Sequence, residues 1–237
     1  MSQPPPTAPP TLNSPQRQPS NADAGLFIVF EGLDGAGTTT QSNRLHAELI
    51  RRDIPASLSC EPSAGPVGVL LRQGLTGRVN FDERTMALLF AADRLDHLHN
   101  QTNGVLKRRS TGLVEVSDRY LWSSLAYQGV SLPPEWVTTI NHYALEPDLL
   151  FFLDVDVGEA VRRISRRQSE TERYDNLQHL TAVRQRYLQL VRQARAEARN
   201  NVVVLDSSLP QETVAAQVWE NVQARLQQHN LFARANS

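Results

Sequence analysis

Residues 27–41 read FIVFEGLDGAGTTTQ. A run of apolar residues, Phe27 to Phe30, leads into Gly32, Gly35 and Gly37, and then into Thr39 and Thr40. Apart from one letter this is the GxxxxGK[ST] pattern, in which a strand, a glycine loop and a helix start cradle phosphate. The loop Gly32, Leu33, Asp34, Gly35, Ala36, Gly37 would turn its backbone N–H groups toward phosphate oxygens. The following helix would add the positive end of its dipole. Thr39 and Thr40 occupy the hydroxyl positions, Thr39 being the expected Mg²⁺ ligand. Thr38 stands where the pattern has its lysine.

The rest of the chain alternates strand and helix. Strands are expected at Leu26–Glu31, Ser57–Cys60, Gly112–Ser117, Asp148–Asp154 and Val202–Asp206. Helices are expected at Gln41–Arg52, Val67–Leu75, Thr85–Leu98, Glu159–Gln168, Leu177–Asn200 and Gln211–Gln228. DLLFFLD at 148–154 is almost continuously apolar, as a parallel strand covered on both faces should be. Five strands separated by helices predict an α/β fold with one doubly wound parallel sheet. It is expected to span residues 26–230 as a single domain.

Residues 1–25 are set apart. MSQPPPTAPPTLNSPQRQPSNADA holds seven of the chain's 14 prolines and too few large apolar residues to offset ordering entropy, so a disordered tail is expected. The 24 basic and 25 acidic residues leave no bulk charge to attract a polyanion, so no nucleic-acid partner is expected. No apolar run approaches the roughly 20 residues of a membrane span. The lone Cys60 excludes an intrachain disulfide framework and suits a reducing, cytoplasmic setting.

With its flanks, EGLDGAGTTTQ resembles the loop of the thymidylate kinase family, and further motifs match in order as far as about residue 225. LLFAADRLDH (88–97) is similar to the family's thymine-binding helix. EVSDRY (115–120) is similar to its strand-end D-R-Y, and SSLAYQG (123–129) to its acceptor-pocket segment. SCEPSAG (59–65) resembles R-E-P-G-G, with Cys60 in the arginine position and Ser63-Ala64 for the glycines.

The resemblance implies a P-loop nucleoside-monophosphate kinase fold, a homodimer, and phosphoryl transfer from ATP to dTMP with Mg²⁺. ATP would lie on the loop 32–40 with Arg163 beside the adenine. Phe90 would stack on the pyrimidine, with Arg94 bonded to its exocyclic oxygen. Arg119 would clamp the acceptor phosphate, and Asp118 would sit with Thr39 at the metal. Asp34 would face the sugar 3′-hydroxyl and Tyr174 the 2′ position, with Glu61, Ser123, Tyr127 and Gln128 completing the acceptor pocket. The LID, about 158–176, carries Arg162, Arg163, Arg166 and Arg167. In LID-arginine members of the family, as in bacteria, such a segment supplies a catalytic cation, so Arg167 or Arg166 would do the work of the missing lysine. Two alternatives stay open: a silent nucleotide-binding protein, motivated by Thr38 and Cys60, and a deoxynucleoside kinase.

Overall fold

The computed structural model describes residues 25–164 and 170–229, with the backbone alone over 170–176. Five parallel strands form the sheet: β1 (Phe27–Gly32), β2 (Ala56–Cys60), β3 (Val114–Asp118), β4 (Leu149–Asp154) and β5 (Val202–Asp206). Their order is β2-β3-β1-β4-β5. β1 is central, and its first four residues are wholly buried because helices cover both faces. Nine helices connect or flank the strands among the described residues: α1 (Thr38–Arg51), α2 (Pro66–Leu75), α3 (Glu83–His99), α4 (Val105–Ser110), α5 (Leu121–Ser131), α6 (Pro134–Ile140), α7 (Val157–Ile164), α8 (Glu170–Ala196) and α9 (Gln211–Gln228).

The expected α/β architecture and all five strands are present. Three helices, α4, α5 and α6, were not anticipated. α4 and α6 are only six and seven residues long. α5 (LWSSLAYQGVS) carries none of the charged residues that mark a solvent face, and its small Ser124, Ala126 and Gly129 are buried. α8 starts at Glu170, ahead of the expected Leu177, so the ERYD segment is helical. It stops at Ala196, short of the expected Asn200. The helix expected at Glu159–Gln168 starts at Val157 and is described as far as Ile164. Residues 165–169, with Arg166 and Arg167, lie outside the described residues, as do residues 1–24 and the Tyr174 side chain.

Register decides where the chemistry can be. Cys60 and Phe30 both align with Asp118, Gly32 with Leu153, and Asp154 with Asp206. The carboxyl ends of all five strands therefore share one edge, where ligands bind in open parallel sheets.

Candidate active site

The glycine loop leaves β1 at Gly32, where an added Cβ would meet the Leu153 carbonyl oxygen at 2.9 Å. Gly35 (φ +82°) has the Ala160 carbonyl of α7 at 2.6 Å from a would-be Cβ, and Gly37 (φ +92°) caps α1. These positions admit only glycine, through close approach at the first and the left-handed region at the other two. Ser207 donates to the Ala36 carbonyl, tying the loop to the turn after β5.

Thr38 is buried, and its methyl lies 3.4 Å from a Cβ built on Gly32, so it packs beneath the loop. Arginines from elsewhere brace the loop's carbonyls. Arg119 Nη1 donates to the Gly32 oxygen at 2.9 Å, and Arg163 Nη1 to the Gly35 oxygen at 3.3 Å. Arg163 also donates to the Ser207 oxygen at 3.0 Å and pairs with Glu159 at 2.8 Å. It thus joins α7, the loop and the β5–α9 turn. Arg162 pairs with Glu159 as well.

At the end of β3, Thr39 Oγ1 donates to Asp118 Oδ2 at 2.5 Å. Asp118 Oδ1 is buried and has no hydrogen-bond partner among the described residues. Two hard oxygens beside a phosphate loop, one with spare acceptor capacity, fit a Mg²⁺ ion, which typically takes one or two protein oxygens and fills its shell with phosphate and water. A cavity of about 680 Å³ borders this pair and is also lined by Cys60, Ser63 and His97.

Arg119 occupies the left-handed region (φ +72°), a conformation that costs a non-glycine residue about 1–3 kcal/mol. The turn aims its guanidinium back across β1. Besides Gly32, it bonds Ser123 Oγ at 3.2 Å and Asp34 Oδ1 at 2.6 Å, and lies 5.5 Å from the Tyr127 ring centre. Burial works against its charge, but Tyr127, Tyr187, Asp34 and Glu31 outweigh it and raise its pKa. Burial pushes the Tyr127 phenol up to about 12, so it stays protonated while accepting from the Asp34 N–H at 2.9 Å. Asp34, Arg119, Ser123 and Tyr127 thus meet as one cluster. Gln128 follows on α5, half-buried, with its side-chain oxygen unpartnered.

The residues expected at the base divide. Phe90 is half-buried on α3, able to offer a ring face. Arg94, one turn on, is only 1 % exposed. It pairs with Glu61 at 2.7 Å and donates to the Tyr120 carbonyl and Ser124 Oγ at 3.1 Å each, and to Asn141. Its Nε has no hydrogen-bond partner among the described residues. Glu61, drawn from the sequence as a pocket residue, is the buried anion between Arg94 and His97 Nδ1, the latter at 3.1 Å. The neighbouring Asp93 accepts from Ser63 N (2.7 Å) and Oγ (2.6 Å), so α3 also anchors the loop after Cys60. Beside Cys60, Arg72 of α2 lies 3.9 Å from the sulfur and donates to the Ser63 and Pro62 carbonyls.

Several of these residues escaped the sequence reading. Glu31 could have been noticed as an acid ending an apolar run. Asn141, Tyr187, and Arg184 paired with Asp154 through two bonds of 2.8 and 2.9 Å, carry no local signal, because long-range packing brings them in.

Comparisons with known proteins show the family of the chain. The family model described as thymidylate kinase matches residues 30–218. A relative from Methanocaldococcus jannaschii named "Probable thymidylate kinase" is 39% identical over 180 residues, covering 76% of this chain and 86% of the relative. Relatives of the same name from Thermococcus onnurineus (38% over 175 residues, 70% and 83%) and Methanococcus aeolicus (32% over 182 residues, 76% and 87%) also match. With its glycine loop, the Thr39–Asp118 pair and the Arg119 cluster on one sheet edge, the chain belongs to the thymidylate kinase family of phosphotransferases.

Proposed function

We propose that the chain transfers the terminal phosphoryl group of ATP to dTMP, giving ADP and dTDP for dTTP synthesis. The observation that carries this reading is the placement of Arg119, held by Ser123 and Asp34, directly across from the glycine loop through its bond to the Gly32 carbonyl. An acceptor phosphate on Arg119 would then lie beside a donor on the loop, and such transfers need alignment and charge neutralisation rather than a covalent nucleophile. Mg²⁺ held by Thr39 and Asp118 would neutralise charge on the transferring group. Phe90 and the free Nε of Arg94 would read the base, with Gln128 and Tyr127 closing the pocket and Tyr174 beside the sugar.

Arg167 or Arg166 supplies the cation that Thr38 does not, in the manner of the LID-arginine kinases. This is supported by the engagement of Arg162 and Arg163 with Glu159. Arginine is permanently charged and binds phosphate bidentately. The enzyme works as a cytoplasmic homodimer, for which the exposed Val69, Leu70 and Leu75 of α2 and Leu88 of α3 offer an apolar face. Among the described residues, no helix is long and apolar enough to cross a membrane.

The test is ADP release from Mg·ATP with dTMP, thymidine or no acceptor. Turnover of dTMP alone supports the reading. Turnover of thymidine would point to a nucleoside kinase, and binding without turnover to a silent protein. Arg167→Ala and Arg166→Ala then test the cation, with a fall in kcat of roughly a thousandfold expected in one of them and partial rescue by Thr38→Lys.

A further inference from the structure

Glu31 is the last charged residue expected inside a sheet, yet it sits on the central strand with no solvent exposure. It aligns with Phe152 of β4, whose ring stacks on Tyr187 of α8 at 5.0 Å between centroids. Its side-chain bonds run to the segment that carries Arg119 and to Tyr187 of α8. Glu31 Oε1 accepts from the Tyr120 N–H at 3.0 Å, the residue that follows the left-handed turn. Oε2 accepts from Ser123 Oγ at 2.6 Å and lies 3.1 Å from the Tyr187 hydroxyl. Tyr187 is also 3.0 Å from Ser123 Oγ.

A serine hydroxyl has one proton and two lone pairs. Glu31 takes that proton, so a lone pair of Ser123 is left to accept from Arg119 Nη1 at 3.2 Å. A buried carboxylate is costly unless donors and cations surround it: burial raises the Glu31 pKa on balance, and the Ser123 hydrogen bond and the Arg119 and Arg94 charges work against that rise. A hydrophobic residue here would spare that cost, so the acid has some purpose beyond packing.

We infer that Glu31, with Tyr187 as its supporting donor, is the positioning residue for the acceptor-phosphate clamp: it fixes the Arg119 turn through Tyr120 and orients the Ser123 hydroxyl beneath the guanidinium. Neither Glu31 nor Tyr187 touches substrate. Both act through Arg119, so their loss disorders the acceptor side first, while the donor loop, which Arg119 also braces at Gly32, keeps its ties to Ser207 and Arg163. The inference rests on the dTMP kinase reading.

The experiment compares wild type, Glu31→Gln and Tyr187→Phe in steady-state kinetics with each substrate varied in turn, with melting temperatures recorded. Gln keeps the shape and an oxygen for Tyr120 but sets an NH₂ against the two hydroxyl donors. Phe keeps the ring on Phe152 and removes only the hydroxyl. KM for dTMP should rise about tenfold in Glu31→Gln and roughly threefold in Tyr187→Phe, while KM for ATP stays within about twofold. Tyr187→Phe carries the test if Glu31→Gln does not fold. Unchanged KM for dTMP in a folded variant, or equal shifts for both substrates, overturns the inference. A wild type that does not phosphorylate dTMP defeats instead the functional reading beneath it.

Discussion

Replacing Arg119 by alanine removes a guanidinium whose two ends do different work. Nη1 is committed to the Gly32 carbonyl (2.9 Å) and Ser123 (3.2 Å), whereas Nη2, among the described residues, holds only Asp34 at 2.6 Å. Asp34 is 57% exposed, so water can replace its partner, and Nη2 is the end free to exchange onto a phosphate. The net gain from acceptor binding is then about one charged hydrogen bond, 1.5–3 kcal/mol, or on the order of tenfold to a hundredfold in kcat/KM for dTMP. Arg119→Lys keeps the charge but not the fork, so it should recover only part of that loss. The assay is ADP release at saturating Mg·ATP with dTMP varied, beside an ATP titration at fixed dTMP. Wild-type kcat/KM for dTMP in the alanine variant would refute the reasoning. A loss confined to the ATP titration would show that Arg119 serves the donor loop through Gly32.

Other perturbations separate site from scaffold. Asp118→Asn should raise the Mg²⁺ needed for half-maximal rate roughly tenfold or more, since the neutral amide is a poor ligand beside Thr39; an unaltered Mg²⁺ titration would place the metal elsewhere. Phe90→Ala should raise KM for dTMP and spare ATP, whereas Arg94→Ala should also lower stability by about 3–5 kcal/mol in urea titration, because it strands Glu61 as a buried anion. The Arg51 and Arg52 guanidiniums hold Glu48 down, from 4.5 to about 2. Its folded-state pKa is depressed, so the stabilisation is present above pH 4.5 and lost as pH falls toward 2. Glu48→Gln should therefore be less stable than wild type at pH 7, by about 0.3–0.5 kcal/mol per exposed pair, and equal to it near pH 2. A constant difference across that range would remove the pairs from the account.

Local pattern was enough to identify the phosphate loop, because strand, glycines and helix start are contiguous and each needs a particular residue type. The apolar runs of Phe27–Phe30 and Leu149–Leu153 likewise announced parallel strands, since both faces of such strands are covered. Asp118 and Arg119 could be read from the strand-end motif, and the left-handed turn at Arg119 gives that motif its geometry. Strand order, by contrast, follows from which faces bury together, and that order brings Asp34, Asp118 and Tyr127 to one edge from positions far apart in the chain. The tertiary structure alone showed that Glu61 and Arg94 are a buried pair, that α3 anchors the loop after Cys60, and that Glu31 stands beneath the clamp. A buried charge is tolerable only where partners from other elements converge, and no local stretch of sequence records that convergence.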